Sequence, residues 1–549
     1  MSVIPINPAG LVRLPLARIC DGLALLAIAV LGLVVLMTFR DYGLGWDDYT
    51  HSEYADQLID LYRSGLRDSH AFAFANLFMY GGGFDIAAAL LQKILPLGIF
   101  ETRRLLGGAV GIIGIVVTWR LARRTGGPVA GVAALLVLAL CPIYYGHMFM
   151  NPKDAPFAVA MAVLLLGLAR LAEEYPSPSP RTVLLVGFGA GIALGSRVLG
   201  GLAFIYALIG FAPLLVDELR CFGARESARR FLRMTWMLVP GLLFGYLVMG
   251  LAWPWGVLDP LNPIKAVGYF SQFFEKPWKE LFDGALIAVP DMPSSYLPTL
   301  FALQLPEVTI VLTLAGAAGA LLLQTRRAVP ARRRAVLMTL VAAALLPLII
   351  AMVKRPALYN GVRHFVFVIP PMAVLAGLAF GWLVRWTARL GRTPAFAAIA
   401  VFVFGLALPL DEMVKLHPYQ YTHFNFVSGG VRAADNRYML DYWGLAFKQA
   451  SEQLRERIAA NGETAPPGRA WKVAVCGPQR PAQVALGPGF TIGWDSAGAD
   501  FAMTLDEFYC RKLTAPVVVE IKRDGVVFAR VYDIRGRSIS TLLAIPAPQ

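Results

Sequence analysis

Hydrophobic residues are concentrated in runs of about twenty, and shorter polar segments separate these runs. A helix of that length crosses the hydrocarbon core of a membrane, which is about 30 Å thick. The pattern therefore predicts about eleven membrane-spanning helices. The runs lie near 19–39, 104–121, 128–146, 155–171, 182–200, 201–217, 234–252, 306–324, 335–353, 365–384 and 395–411. No small-residue cleavage site follows the first run, which favours an uncleaved anchor over a signal peptide.

The pattern changes after residue 411, where hydropathy falls. Tyr442–Ala460 has the pattern of a helix, while Trp471–Val475, Val517–Ile521 and Val526–Tyr532 alternate or run apolar as strands do. The predicted fold class is therefore an α-helical polytopic membrane protein, residues 1–411, followed by a small soluble α/β domain. We call residues 412–549 the C-terminal domain.

Composition supports a membrane protein. Of 549 residues, 57% are hydrophobic and 16% are charged, and the mean hydropathy is +0.59. These values exclude a disordered chain, a collagen and a secreted disulfide scaffold. The net charge of +14 comes from short basic clusters between the hydrophobic runs rather than from one soluble face. Membrane topology explains those clusters better than nucleic-acid binding does.

The basic clusters occupy alternate loops, near 13–18, 120–124, 229–233, 326–334 and 385–392. Positively charged loops are retained on the cytoplasmic side, so the N-terminus is predicted to be cytoplasmic. The loop that contains Glu173 and Glu174 fits this alternation weakly. Loops 40–103 and 253–305 and the C-terminal domain then face outside, which is the periplasm for a protein of the bacterial inner membrane.

The outside segments have features of their own. Gly81–Leu97 is apolar but carries Asp85 and Lys93, so we predict an interfacial amphipathic helix rather than a span. Loop 253–305 is rich in tryptophan and proline, as segments at a membrane surface are. Cys476 and Cys510 both fall in the C-terminal domain, where an oxidising compartment would permit a disulfide, although the sequence gives no distance between them.

Candidate chemistry lies in ionisable residues near the predicted outer ends of the spans. Asp47-Asp48 follows the first span. Two adjacent carboxylates repel each other, which can hold one as a base of raised pKa or suit both to a cationic partner. The alternative is that aspartate simply caps a helix beginning at Tyr49.

Two further groups are cationic. Lys153-Asp154 follows Asn151-Pro152, and the alternative there is a helix capped by Asp154 with Lys153 reaching to the surface. Arg197 and Arg363-His364 lie on the outer side, against the trend that keeps positive charge inside. Arginine binds phosphate through forked hydrogen bonds, so an anionic headgroup is a natural partner, and an ordinary lipid contact is the alternative.

The sequence contains no Walker A motif, no glycine-rich nucleotide fingerprint, no His-Glu-x-x-His and no serine elbow. Soluble nucleotide cofactors are therefore not expected. Taken in order, the motifs resemble the C-type (GT-C) glycosyltransferase superfamily, in the branch that contains protein O-mannosyltransferases and bacterial lipid A aminoarabinose transferases. The resemblance is carried by Trp46-Asp47-Asp48 with His51 and Tyr54, Asn76–Leu91, Asn151–Asp154 and Arg363–Phe365. It departs from that branch at Asp48, where glutamate is usual.

The resemblance implies an inverting transfer of a sugar from a polyprenyl phosphate to a lipid, glycan or protein acceptor. Asp47 matches the catalytic base of that branch, and Asp48 is the second catalytic candidate. A base is needed to remove the acceptor proton. The candidates for binding the donor phosphate are Lys153, Arg197, Arg363 and His364, and the supporting candidates are His51, Tyr54 and Asp154. The lipid-linked sugar is then a substrate, and neither a metal nor a cofactor is implied.

Two other classes of function remain open. A transporter or flippase of a polyprenyl-linked lipid or phospholipid would need ionisable residues near the bilayer midplane and repeated halves, whereas the notable charges here lie at one face. A noncatalytic envelope assembly protein would bind its partner through the C-terminal domain and use Asp47-Asp48 as a plain helix cap. That hypothesis predicts that residues 412–549 alone retain the partner interaction.

Overall fold

The computed structural model describes residues 9–271, 278–538 and Leu542, with side chains from Leu16 onwards. The first helices are α1 (Ala9–Thr38), α2 (Asp48–Arg63), α3 (Gly83–Gln92), α4 (Ile99–Gly126), α5 (Pro128–Ala139), α6 (Pro142–Met150), α7 (Asp154–Glu174), α8 (Pro180–Leu194), α9 (Leu202–Ala252), α10 (Pro254–Leu258) and α11 (Asn262–Ser271). The later helices are α12 (Tyr296–Gln304), α13 (Glu307–Gln324), α14 (Ala331–Lys354), α15 (Ile369–Leu390), α16 (Arg392–Leu416), α17 (Gly430–Ala434), α18 (Phe447–Ala460) and α19 (Gln479–Leu486). The strands are β1 (Lys279–Phe282), β2 (Ala285–Ala288), β3 (Trp471–Cys476), β4 (Phe490–Gly493), β5 (Phe501–Leu505), β6 (Val517–Arg523) and β7 (Val526–Asp533).

Every predicted hydrophobic run falls on helix, which confirms the polytopic helical fold. Among the described residues, eight helices are long and apolar enough to cross a membrane, or up to nine if the pair α5 and α6, bent by 61°, forms one span. The count is lower than the predicted eleven for two reasons. Helix α9 contains two of the predicted spans, and α8, with 15 residues, is short for a span.

Helix α9 is in fact two arms. Gly223 has φ +75°, a left-handed conformation that glycine adopts at little cost. Arg230 Nε lies 2.5 Å from Glu218 Oε2. Those residues are twelve positions apart, which would be about 18 Å along a straight helix. The chain therefore reverses near Gly223, and runs 201–217 and 234–252 form separate arms.

The bundle is built around α7. In α7, 83% of an apolar 18-residue stretch is buried inside the protein. In α1 and α16 the corresponding share is 17%, so these two helices lie at the rim. Helix α8 and the second arm of α9 approach each other through glycines: a Cβ added to Gly187 would lie 1.9 Å from the carbonyl oxygen of Gly241. Small residues allow this backbone contact between membrane helices.

The charged loops lie in two groups, one at each end of the bundle. At one end, Arg124 pairs with Glu173, Arg332 Nη1 donates to the Glu173 carbonyl at 3.0 Å, and Arg334 Nη2 lies 3.2 Å from Asp217. The loop that fitted the basic pattern weakly thus lies with the basic loops, and we call this the basic end. Loops 40–103 and 253–305 and the C-terminal domain meet at the opposite end, which we call the site end.

The loops at the site end are folded. In loop 40–103, the predicted amphipathic segment forms α3, whose 10 residues extend only about 15 Å and are too short to cross a membrane. In loop 253–305, β1 and β2 form an antiparallel hairpin that pairs Lys279 with Ala288. Residues 272–277 of this loop lie outside the described residues.

The C-terminal domain contains a five-stranded sheet in the order β4-β3-β5-β7-β6. Strand β3 runs parallel to β4 and β5, and β7 runs antiparallel to β5 and β6. The predicted helix and three strands correspond to α18, β3, β6 and β7, so the small α/β unit is confirmed, whereas α19, β4 and β5 were not predicted. Every residue of β5 is buried, so it lacks the alternation that marks a half-exposed strand. Cys476 and Cys510 form a disulfide.

Candidate active site

Asp47 lies at the start of α2 and faces two cations. The helix begins at Asp48, and the Asp47 side chain makes no capping hydrogen bond, so the capping interpretation is wrong for this residue. Asp47 Oδ2 lies 2.9 Å from Lys153 Nζ and 3.8 Å from Arg363 Nη1, and the side chain is 31% exposed. Asp47 therefore joins two distant parts of the chain at a position that solvent reaches.

The surrounding charges determine the ionisation of Asp47. Burial alone would raise the pKa of Asp47, but the charges of Lys153 and Arg363 outweigh burial and hold that pKa well below its ordinary value. Burial would likewise lower the pKa of Lys153, and the Asp47 carboxylate raises it above the usual range. Of the two alternatives for the acid pair, a cationic partner describes Asp47 and a raised pKa does not. Asp47 and Lys153 form an ion pair at neutral pH.

Asp48 has a different environment, because it is fully buried against Arg104 of α4. Arg104 Nη1 donates to Asp48 Oδ1 at 2.8 Å, and Arg104 Nη2 donates to Asp48 Oδ2 at 2.5 Å. The Gly45 amide also donates to Asp48 at 2.8 Å. Arg104 further donates to the carbonyl oxygens of Gly43 at 2.6 Å and Phe149 at 3.1 Å. This forked pair fixes the start of α2 to the membrane helices.

The motif that contains Lys153 and Asp154 opens α7. The Asn151 side chain accepts hydrogen bonds from the amides of Lys153 at 3.2 Å and Asp154 at 2.8 Å. Asp154 is the first residue of the helix and the N-cap position is occupied by Lys153, so the proposal that Asp154 caps the helix is wrong. Asp154 Oδ1 instead lies 2.7 Å from Arg197 Nη2. Lys153 Nζ and Arg197 Cζ each lie 5.3 Å from the centre of the Tyr80 ring, so both cations contact the same aromatic ring.

Arg363 lies between two aromatic rings. Its Cζ is 4.6 Å from the Tyr359 ring and 4.8 Å from the Trp443 ring, which belongs to the C-terminal domain. The His364 ring lies 5.0 Å from the Tyr359 ring. Trp443 also packs directly on the backbone before Asp47, because a Cβ on Gly45 would lie 1.7 Å from Trp443 Cδ1. The C-terminal domain therefore contributes a side chain to the site.

A cavity of about 330 Å³ opens beside these cations. Its walls are largely apolar and include Val198, Leu202, Ile350 and Phe367. The polar residues that line it are Tyr80, Arg197, Lys354, Tyr359 and His364. Its lining, which is apolar with Arg197 and Lys354 among its polar residues, suits an apolar chain that ends in an anionic group.

The remaining supporting candidates, His51 and Tyr54, are buried residues of α2. His51 Nδ1 lies 2.8 Å from Asp85 Oδ2, and Asp85 also pairs with Arg103, with all three side chains buried. Burial would raise the pKa of Asp85, but His51 and Arg103 lower it below the usual value. This group joins α2, α3 and α4. Tyr54 packs in an apolar cluster, with its ring 6.3 Å from that of Phe74.

The sequence did not single out several residues that shape the site: Tyr80, Arg103, Arg104, Tyr359 and Trp443. A signal existed for the arginines, because Arg103 and Arg104 begin a span at the site end, against the trend that singled out Arg197 and Arg363. The aromatic residues had no comparable signal, since tyrosine and tryptophan are common at membrane surfaces generally.

Comparison with known proteins supports the resemblance. Residues 89–253 match the family described as dolichyl-phosphate-mannose-protein mannosyltransferase. The match covers less than a third of the chain; Lys153, Asp154 and Arg197 fall inside it, and Asp47 and Arg363 fall outside it. Over those residues the match supports the predicted resemblance to protein O-mannosyltransferases.

Several solved structures are similar to this chain over most of its length. ArnT from Cupriavidus metallidurans bound to undecaprenyl phosphate has 16% identity and a TM-score of 0.46, over 94% of this chain and 99% of that one. Its apo form has 16% identity and a TM-score of 0.48, over 96% and 99%. The apo oligosaccharyltransferase of Archaeoglobus fulgidus has 13% identity and a TM-score of 0.43, over 82% and 62%. No curated protein sequence matches the chain.

Proposed function

We propose that this protein is an inverting glycosyltransferase that moves a sugar from a polyprenyl-phosphate donor to a lipid, glycan or protein acceptor. The reaction takes place at the site end, which we assign to the periplasmic face of a bacterial inner membrane. One observation carries the proposal: Asp47, Lys153, Arg197 and Arg363 converge beside an apolar cavity. The proposal includes no metal and no cofactor.

The cavity supplies the donor site in this proposal. The prenyl chain lies along the apolar wall, and the phosphate meets Arg197 and His364 at the polar lining. Lys153 is near the same point, since it shares the Tyr80 ring with Arg197. These cations stabilise the charge that develops on the departing phosphate. A lipid phosphate is a competent leaving group, so no general acid is needed. The name of the matched family, which includes a polyprenyl-phosphate sugar, supports this class of donor.

Asp47 is the base in this proposal. The acceptor oxygen forms a bond to the anomeric carbon, the bond from that carbon to the phosphate oxygen breaks, and the acceptor proton passes to the Asp47 carboxylate. In the free protein, Lys153 and Arg363 make Asp47 a weak base. A bound phosphate competes for those cations and adds a negative charge, both of which raise the pKa of Asp47. Donor binding thus makes Asp47 a stronger base.

The proposal predicts that Asp47→Asn abolishes transfer and leaves donor binding largely intact. Transfer from radiolabelled polyprenyl-phosphate sugars to an envelope acceptor fraction is measured with purified wild type and variant in detergent. We expect transfer to fall by at least about 10²-fold, the scale of one lost acid–base group. Asp56→Asn is the matched control, because Asp56 is an exposed carboxylate on the same helix.

Full activity of Asp47→Asn would contradict the assignment of the base. If the wild type transfers nothing from a broad donor panel while a positive-control enzyme works, the transferase proposal fails. A transporter or flippase, or an assembly protein, would then describe the chain better.

A further inference from the structure

The turn before Arg363 has an uncommon backbone conformation. Asn360 has φ +57° and Gly361 has φ +69°. Positive φ is unfavourable for a residue with a Cβ, although asparagine tolerates it better than most residues. Successive backbone amides in a turn can form a concave site that binds an anion. Asn360 is also buried, with 6% of its surface exposed. This turn therefore needs an acceptor to hold it.

Glu280 of strand β1 supplies that acceptor. Its Oε2 accepts a hydrogen bond from the Asn360 amide at 2.6 Å. Its Oε1 accepts from the Tyr296 hydroxyl at 2.5 Å and lies 3.4 Å from the Gly361 amide. The Gly361 amide also donates to the Tyr296 hydroxyl at 3.0 Å. Glu280 is 2% exposed, so these partners replace the water that a carboxylate normally binds.

The turn carries residues of the candidate active site on both sides. Tyr359 precedes it and lines the donor cavity. Arg363 follows it, stacks on Tyr359 and lies 3.8 Å from Asp47. A shift of the turn would move both side chains relative to the cavity and to Asp47.

The hairpin that carries Glu280 is held in turn by the C-terminal domain. The Gly284 amide donates to the Arg437 carbonyl oxygen at 2.9 Å, and the Arg437 side chain pairs with Asp283. The Tyr438 hydroxyl lies 3.4 Å from Asp283 Oδ1. A continuous set of contacts thus leads from the C-terminal domain through the hairpin to the turn.

We propose that Glu280 is a positioning residue. Its hydrogen bonds to the turn at 360–361, which we call the clasp, keep Arg363 at Asp47 and Tyr359 at the cavity. The clasp makes the geometry of the site depend on docking of the C-terminal domain against the hairpin. The effect on catalysis rests on the proposed function, whereas the clasp itself does not.

The ionised carboxylate is the form that fits this turn, because both of its oxygens face donors. Burial raises the pKa of Glu280 to about 7, although its hydrogen bonds act to lower it. The other titratable and charged groups that act on it are Tyr296, Arg363, Tyr442 and Glu507. Protonation replaces an acceptor by a donor, so the clasp loosens as the pH falls through about 7.

The test is Glu280→Gln, with Lys279→Gln, its exposed neighbour on β1, as the matched control. In this variant the NH2 group of the glutamine would replace one carboxylate oxygen and would face a hydrogen-bond donor of the turn or of Tyr296. We expect kcat/KM for the donor to fall about 100-fold, the cost of displacing a reacting group by about 1 Å. In the wild type, kcat/KM should fall as the pH drops through about 7, and this fall, the acidic limb of the pH profile, should disappear in the variant. Tyr296→Phe keeps the charge and removes one contact, so its loss should be smaller and its acidic limb should remain.

Amide hydrogen exchange of residues 357–366 provides a readout that does not depend on transfer. Exchange there should be faster in Glu280→Gln and unchanged in Lys279→Gln. Wild-type exchange, kcat/KM and pH profile in Glu280→Gln would overturn the proposal. If Glu280→Gln does not fold, wild-type exchange and kinetics in Tyr296→Phe would overturn it instead. If exchange responds as expected but the wild type transfers no sugar, the proposed function fails and the clasp stands.

Discussion

At the scale of single residues, two adjacent aspartates have opposite environments. Asp47 is 31% exposed and faces Lys153 and Arg363, whereas Asp48 is fully buried and paired with Arg104. We expect Asp48→Asn to lower the free energy of unfolding by about 3–5 kcal/mol, because it leaves the buried Arg104 charge without its partner. Asp47→Asn should cost less, since solvent reaches that side chain. Thermal unfolding of both purified variants in detergent measures the difference.

The paired replacement Asp48→Asn with Arg104→Met serves as the control for this prediction. It removes both charges, so part of the lost stability should return. If Asp47→Asn destabilises the protein as much as Asp48→Asn, the contrast between the two aspartates is wrong.

At the scale of helices and strands, hydrophobic runs predict spans because each crossing needs about twenty apolar residues. Where a run breaks is harder to predict. Gly223 reverses α9 through one positive φ, and Pro142 begins a new helix after a bend of 61°. Neither glycine nor proline is rare enough in membrane helices to mark such a break from the sequence alone.

In the candidate site, too, some residues could be predicted from the sequence and others could not. Arg197 and Arg363 could be singled out because positive charge in a loop predicted to face outside violates a general trend. The rings that hold these cations could not, since Tyr80 and Trp443 come from distant segments that meet only in the folded chain. The uses of Asp48 and Asp154 also depend on arginines far away in the sequence.

The contact between segments 43–45 and 443–445 leads to a prediction about these elements. A Cβ on Gly45 would lie 1.7 Å from Trp443 Cδ1, and the Trp46 amide donates to the Trp443 carbonyl at 3.3 Å. Gly45→Ala should therefore displace Trp443 from Arg363 and lower stability by roughly 1–3 kcal/mol, as overpacking does. We expect transfer activity to fall as well. Unfolding temperature and transfer rate measure the two effects.

Gly319→Ala is the matched control, since a Cβ at Gly319 meets open space. Trp443 is buried, so Trp443→Ala alone should lower stability by about 3–5 kcal/mol. Adding Gly45→Ala to that variant should cost little more, because the clash is gone, while activity stays low. Recovery of activity in that double variant would show that Trp443 has no role at Arg363.

At the scale of the whole molecule, one site is shared by two parts of the chain. Membrane helices supply Lys153 and Arg197, and the C-terminal domain supplies Trp443 next to Arg363. The Tyr442 hydroxyl also lies 3.3 Å from His147 Nε2 of α6. Docking of the C-terminal domain therefore belongs to the architecture of the site, and conditions that weaken docking should weaken the site.

A rise in pH is one such condition, because Asp441 is buried where the C-terminal domain meets the bundle. Asp441 accepts hydrogen bonds from the Tyr421 hydroxyl and from the amides of Gly444, Leu445 and Ala446. Burial nevertheless raises the pKa of Asp441 to about 6. Burial also raises the pKa of Glu507. The folded protein thus holds the proton on Asp441 more tightly than the unfolded chain does.

A raised pKa stabilises the fold below the unfolded-state value, near 4, and this contribution is lost as the pH rises through about 6. The change is roughly 1.4 kcal/mol for each unit of difference between the two pKa values. We therefore expect the Asp441 contribution to lower the unfolding temperature between pH 4.5 and 7. Asp441→Asn cannot take up that proton, so its unfolding temperature should fall less over the same range. The difference between the two curves isolates Asp441 from other titrating groups, and parallel curves would contradict the prediction.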